Sequence, residues 1–195
     1  AITSGTNNTL IGKSSGDSIT TAGSNVGVGF YTLAALTTGS NNNVAIGRGA
    51  MKDSTGTNCD DNVAIGISAL EDVTGGYNIG IGSTAGDNIT SGAGNVIIGG
   101  VDAGSATGDR QLKIAGYDGS TTTTWISGDS NGVVTLADDL VIKDGGTIGV
   151  SSDADSITIA SDGVVTFSQT PVLSGASISA GTAPLTALDI DGATD

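Results

Sequence analysis

Two stretches decide the reading: Asn43-Val-Ala-Ile-Gly-Arg-Gly-Ala50 and Asn62-Val-Ala-Ile-Gly-Ile-Ser-Ala69. Both begin with Asn-x-x-x-Gly, and the unit occurs six times: Asn8–Gly12, Asn25–Gly29, Asn43–Gly47, Asn62–Gly66, Asn78–Gly82 and Asn95–Gly99. Successive glycines lie 17, 18, 19, 16 and 17 residues apart. A period in this range is the mark of a solenoid, in which one unit buries little alone and stacked units share a core.

Each position has a physical reason. The residue before the glycine is always β-branched (Ile11, Val28, Ile46, Ile65, Ile81, Ile98), and the residue two earlier is Thr9, Val26, Val44, Val63, Ile79 or Val96. Side chains two apart on a strand share a face. The residue between them is often small (Gly27, Ala45, Ala64, Gly80) and lets another backbone approach. Glycine at the strand end supplies a left-handed turn or room for one. Asparagine at the strand start closes a turn through its side chain, and stacked asparagines form ladders. The structural repeat residues are therefore Asn25, Gly29, Asn43, Ile46, Gly47, Asn62, Ile65, Gly66, Asn78, Ile81, Gly82, Asn95 and Gly99. A threonine follows each glycine by eight residues (Thr20, Thr37, Thr55, Thr74, Thr90, Thr107), so length changes fall between that threonine and the next asparagine. The expected unit is two strands of about five residues and two turns, stacked at ~4.8 Å. Val28, Ile46, Ile65 and Ile81 are expected to form one inward-facing file. Loop residues such as Asn41 are expected to tolerate substitution.

Composition agrees with a thin, extended β-structure. The chain has 195 residues, 33 glycines, 3% aromatic residues and a net charge of −14. A thick core needs bulky rings, each burying ~150–250 Å². At 13% charged residues the chain does not read as disordered. It has no histidine, which excludes His-based catalysis and His metal sites. The single cysteine, Cys59, lacks its usual base and is expected to be structural. Six scattered Lys and Arg give no footprint for nucleic acid. No run of ~18 apolar residues suggests membrane insertion, and no stretch reads as a signal peptide. The sequence opens at Ala1 rather than Met, as expected of a piece of a longer protein. No catalytic residue, cofactor or metal site is expected; the chain is not expected to be an enzyme.

The six units resemble the head repeats of trimeric autotransporter adhesins, a left-handed parallel β-roll packed three to an axis. The Asn-rich loop Thr37-Thr-Gly-Ser-Asn-Asn-Asn43 is more similar to the same repeat in bacteriophage tail-fibre and related virion proteins. The resemblance covers about residues 5–108. The period here is longer and less regular than in the adhesin heads.

The motif ends near residue 108, so two regions are drawn: a β-roll over 1–108 and a β-rich, shaft-like region over 109–195. The second region has β-like runs at 111–115, 122–126, 133–136, 140–143, 156–160, 164–168 and 185–190, separated by turn signals. Parts of it resemble phage-fibre shafts. Asp129-Ser-Asn131-Gly132 and Asp189-Ile-Asp191-Gly192 lack the ligands of a calcium loop and read as turns. Asp138-Asp139 and Asp153/Asp155 are weighed as glycosidase-like acid pairs, for which the chain offers too thin a groove. Trp125 is expected in core or interface packing.

The fold expected is all-β: a repetitive parallel β-roll followed by a fibre shaft, assembled as a trimer. The resemblance implies a structural virion protein of a tail fibre or other appendage. It would bind itself as a homotrimer, other virion proteins, and a host surface glycan or protein through loops 37–43, 56–62 and 91–95. The alternative owner is a bacterium, with the chain a cell-surface adhesin or extracellular filament subunit.

Overall fold

The computed structural model describes residues 4–141, 147–150, 153–159 and 165–167. Among them there is no helix. The chain divides into two compact units, Ala1–Asp139 and Leu140–Asp195.

In the first unit, each repeat contributes one three-residue strand: β1 (Thr9–Ile11), β2 (Val26–Val28), β3 (Val44–Ile46), β4 (Val63–Ile65), β5 (Ile79–Ile81) and β6 (Val96–Ile98). These pair in parallel and in sequence order, with Val44 opposite Val63 and Ile46 opposite Ile65. The sheet continues into β7 (Leu112–Tyr117), which pairs in parallel with β6. It then reverses through β8 (Thr122–Gly128) and β9 (Val134–Leu136), both antiparallel. The result is a β-solenoid of about six coils closed at one end by an antiparallel meander.

An asparagine ladder holds the register. Asn43 donates from its backbone N and its Nδ2 to Asn25 Oδ1 (3.0 and 3.1 Å), and Asn62 does the same to Asn43 Oδ1 (3.0 and 3.1 Å). Each Nδ2 also reaches a loop carbonyl: Asn43 to Cys59 O, Asn62 to Gly75 O and Asn78 to Gly92 O. Asn25, Asn43, Asn62, Asn78 and Asn95 are all fully buried. A buried amide is tolerable only when its donors and acceptors are satisfied, and here each rung satisfies the next.

The corner glycines are required by close approach as well as by conformation. Gly47 and Gly66 have φ of 128° and 139°, and a Cβ on either would meet the next corner's carbonyl oxygen at 2.4 or 2.2 Å. No L-residue fits that stack without moving backbone.

Three expectations are corrected. First, the second strand of each unit is absent. After Gly99 the chain runs on through bends, whereas after Gly12, Gly29, Gly47, Gly66 and Gly82 the segment is a turn whose residues alternate into left-handed conformation, as at Tyr31 and Leu33 (φ 57° and 53°) and at Ser68 and Leu70 (φ 52° and 49°). Its amides still bond between coils: Leu33 N donates to Ala50 O and Leu70 N to Ala85 O. Stacking outweighs the ~1–2 kcal/mol cost of a left-handed residue.

Second, Ile46, Ile65 and Ile81 do not face inward; each is 37–39% exposed, and Val28 is half-buried. The small residues between them point inside: Ala45 and Ala64 are fully buried. The reason is the width of the coil. Leu33, Met51 and Leu70, with Ile19, Leu36, Val73 and Ile89, fill the interior from the opposite wall. A Cβ on Gly80 would lie 2.7 Å from Leu70 Cγ, and one on Gly27 3.0 Å from Leu10 Cδ2. Large residues on one rung thus fill the space left by small ones on the next.

Third, Asn41 is not an idle loop residue. Its Oδ1 accepts from Gly23 N at 2.9 Å and its backbone N donates to Asp60 Oδ1 at 2.6 Å, forming a shorter side ladder.

The boundary drawn at 108/109 marks the end of the Asn-x-x-x-Gly motif, whereas the sheet itself runs on to Leu136. In the second unit, β10 (Thr147–Val150), β11 (Asp153–Ile159) and β12 (Val165–Phe167) form an antiparallel sheet, with Ile157 opposite both Ile148 and Phe167. The run 140–143 forms no strand at 140–141. Its remaining residues, the run 185–190 and the turn at Asp189–Gly192 lie outside the described residues, as do the ends of the runs 156–160 and 164–168.

Two stability predictions follow from this packing. Asn62→Ala leaves Asn78 N and Gly75 O without their partner and should cost about 3 kcal/mol, whereas the exposed Thr38→Ala should stay within ~0.5 kcal/mol of the parent. Equal melting temperatures would show that the ladder does not hold the coil. Ser54 Oγ, fully buried, has only the weakly bonding Cys59 thiol as a polar neighbour and stands where neighbouring coils carry Leu36 and Val73. Ser54→Val should therefore stabilise by ~1 kcal/mol, read as a higher melting temperature.

Candidate functional site: the outer sheet face and its flanks

The repeat places its β-branched residues on the outside because the inside is full. Along the sheet, Val26, Val44, Val63, Ile79, Val96 and Leu112 form one column, and Ile11, Val28, Ile46, Ile65, Ile81, Ile98 and Ile114 another. At strand spacing this is an aliphatic strip roughly 30 Å long. None of these residues is fully buried. Ile11, Ile46, Ile65 and Ile81 are exposed and the rest of the strip is half-buried, so the apolar surface is continuous rather than scattered.

The expected site residues thus divide by role. Asn25, Asn43, Asn62, Asn78 and Asn95 form the ladder, and Gly29, Gly47, Gly66, Gly82 and Gly99 form the corner stack. Ile46, Ile65 and Ile81 form the outer face. One rung was missed by the motif. Gln111 N and Nε2 donate to Asn95 Oδ1 at 2.8 and 3.1 Å, with Nε2 also reaching Ser105 O and Gly108 O. Its signal was present: Leu112 and Ile114 follow it two apart, as the aliphatic pair follows each asparagine.

The loop side is polar. A groove of ≈ 620 Å³ runs along loops 56–60, 74–77 and 91–93, with Asn58, Asp60 and the 67% exposed Tyr77 on its walls. Cys59 is buried beside the ladder; its Sγ lies 3.4 Å from Asn62 Nδ2, and burial pushes its thiol up to about 12. A thiol so held is not a nucleophile at neutral pH.

Asp129 Oδ1 accepts from Asn131 N and Val133 N, the geometry of a turn. The Val133 bond is the main cause holding its carboxyl below the usual range. Asp138 and Asp139 are exposed neighbours in sequence, while Asp153 and Asp155 lie on β11. Trp125 is 55% exposed, so it does not serve the core of this chain. Among the described residues, no three of His, Cys, Asp and Glu come together as a metal-binding group, and no helix is long and apolar enough to cross a membrane.

The flank carries an acidic cluster. Asp87 is pushed up to about 6, first by burial, then by a hydrogen bond with Asp102 and by the charges of Asp102, Glu71 and Asp72. Beside it, Lys52 Nζ pairs with Asp53 and Glu71 at 2.9 and 3.2 Å.

No protein-family model, no curated protein and no solved structure matches the chain.

Asp87 gives the solenoid a pH response. Its folded pKa lies above the ordinary value, so its protonation favours the folded state. That contribution is complete below about pH 4 and is lost as pH rises through about 6. The melting temperature should rise when the buffer is moved from pH 7 to pH 5, and Asp87→Asn should reduce that rise. An undiminished rise would place the response elsewhere.

Proposed function

We propose that the chain is a structural fibre component that assembles as a homotrimer through its outer aliphatic face and takes part in attachment to a host surface. The observation that carries the reading is the aliphatic strip. Its two columns are in register from coil to coil, and Ile46, Ile65 and Ile81 stay exposed where the coil interior has no room for them. A symmetric partner of the same sequence offers a strip with the same ~4.8 Å spacing, so side chains of facing strips can interleave along the whole length. Each apolar Å² removed from water contributes ~25 cal/mol. Three chains closing about an axis would cover each strip without leaving an open, propagating surface.

The rest of the surface supports a soluble, projecting role. Three chains carry 3 × −14 = −42 charges, which discourages lateral aggregation and contact with polyanions. The polar groove along loops 56–60, 74–77 and 91–93 offers hydroxyls, an amide, a carboxylate and one tyrosine. Three copies of a weak site gain strength together on a multivalent surface. The Asn-rich loops resemble those of virion fibres. The owner proposed is therefore a phage particle, with the chain in a tail fibre or similar appendage, in contact with other virion proteins.

The test is the assembly state. Light scattering should give three times 18.8 kDa, and Ile65→Asp, which places a charge on the strip, should release folded monomers. Because Ile65 faces outward, the variant should keep its β-type circular dichroism while losing the trimer. A parent protein that is a stable folded monomer would sink the reading.

A further inference from the structure

The meander that closes the solenoid carries an aromatic surface that the fold does not use. On β8, Trp125 is 55% exposed, and on β7 Tyr117 is 58% exposed. A bulge between Ile114 and Ala115 leaves Trp125 without an opposite partner in the β7–β8 register. Gly116 forms the floor beneath the ring: a Cβ there would lie 2.6 Å from both Cζ2 and Cη2 of Trp125. The missing side chain is what lets the indole lie across the neighbouring strand.

Around the ring the surface is hollow. A depression of ≈ 330 Å³ is lined by Gly116, Tyr117, Asp118, Thr121, Thr123 and Trp125. A second, of ≈ 310 Å³, shares Thr123 and Trp125 and ends on Asp138 and Asp139. Both lie within the ~300–1,000 Å³ span of small-ligand clefts. Asp118 is fixed in place: Oδ1 accepts from Ser120 N at 2.9 Å and from Thr121 N at 2.8 Å. Those backbone bonds, Thr121 first, hold its carboxyl below the usual range, so it is a standing acceptor.

We infer that this Trp125–Tyr117 depression is a binding site for an uncharged glycan. A pyranose has one face of C–H groups and a rim of hydroxyls. The exposed indole supplies a flat apolar surface for the first. Asp118, Thr121 and Thr123 supply acceptors and donors for the second. Charge selects among sugars. Asp118 on one side and Asp138 and Asp139 on the other repel sialylated or sulfated chains, in line with the −14 of the chain. An apolar peptide would find too little enclosed surface beside three carboxylates. The site rests on the attachment reading above for its biological role, and it names the ligand class which that reading leaves open.

Trp125 is the single tryptophan of the chain, so its fluorescence reports this site alone. The full chain is titrated with maltose, cellobiose, chitobiose and lactose, and in parallel with 3′-sialyllactose. At least one neutral disaccharide should shift the emission saturably, and sialyllactose should not. Thr123→Ala, at a residue lining both depressions, keeps the reporter and should weaken binding by about fivefold. Gly116→Val, which displaces the ring from its floor, should do the same, with circular dichroism confirming the fold of each variant. Three results would overturn the proposal: no saturable shift with any neutral sugar, an equal response to sialyllactose, or a Trp125 shielded from acrylamide in the parent assembly. Light scattering on the same samples separates the two readings. A trimer that ignores sugars removes only this site, whereas a monomer that binds them removes the fibre and leaves the site.

Discussion

The fold depends on one constraint: a buried primary amide must find partners for both donors and its acceptor. Asn62 meets it in full: its Oδ1 accepts from Asn78 N in the rung after it, and its Nδ2 donates to Asn43 Oδ1 in the rung before it and to Gly75 O of a loop. At Asn25, Asn43, Asn78 and Asn95 the side-chain oxygen takes a backbone and a side-chain N–H together, and at Asn62 a backbone N–H alone. This fixes the vertical position of every coil, because a slip by one residue would leave two buried donors unpaired. It also explains the tolerance of the period. Coils of 16 to 19 residues coexist, since the ladder needs only that the same asparagine return to the same place. The extra residues are held outside by a shorter side ladder through Asn41 and Asp60.

From this constraint the placement of apolar surface follows. The ladder and the corner glycines draw the coil tight, and the interior then has room for one large residue where neighbouring rungs are small. Leu70 fills the space above Gly80 and Gly86, and Ile97 meets Gly86 from the other side. The β-branched residues that give the strands their extended shape therefore have to stand outside. An aliphatic face on the exterior is the consequence of a narrow core. The acidic cluster and the polar loop groove are built instead by the turns and loops between the strands.

The closing meander solves a different problem. A parallel solenoid ends in unpaired backbone groups. Gln111 supplies the last rung with a side chain one methylene longer, reaching two loop carbonyls as well as Asn95. The chain then turns back through β8 and β9, whose antiparallel pairing covers the edge of β7. That reversal gives the meander surfaces the coils lack, and the exposed aromatics Tyr117 and Trp125 are among them.

The repeat, its strands, its parallel order and its glycine corners were determined by the sequence alone, because each rests on local chemistry repeated six times. Alternation of Val-Ala-Ile shows that two residues share a face, but not which face is inside. That choice depended on Leu33, Met51 and Leu70, which reach the strand from the opposite wall and leave room for alanine only. The post-glycine segment read as a strand because its residues are apolar at intervals. Left-handed Tyr31, Leu33, Ser68 and Leu70 turn it instead, a conformation that these residue types do not announce and that stacking between coils enforces. Gln111 escaped a motif written with asparagine and glycine, although Leu112 and Ile114 follow it at the repeat's spacing; its bonds to Asn95 Oδ1 make it a rung. The exposure of Trp125 was likewise settled in three dimensions, by a bulge and by Gly116 beneath the ring, neither of which the spacing of the sequence reveals.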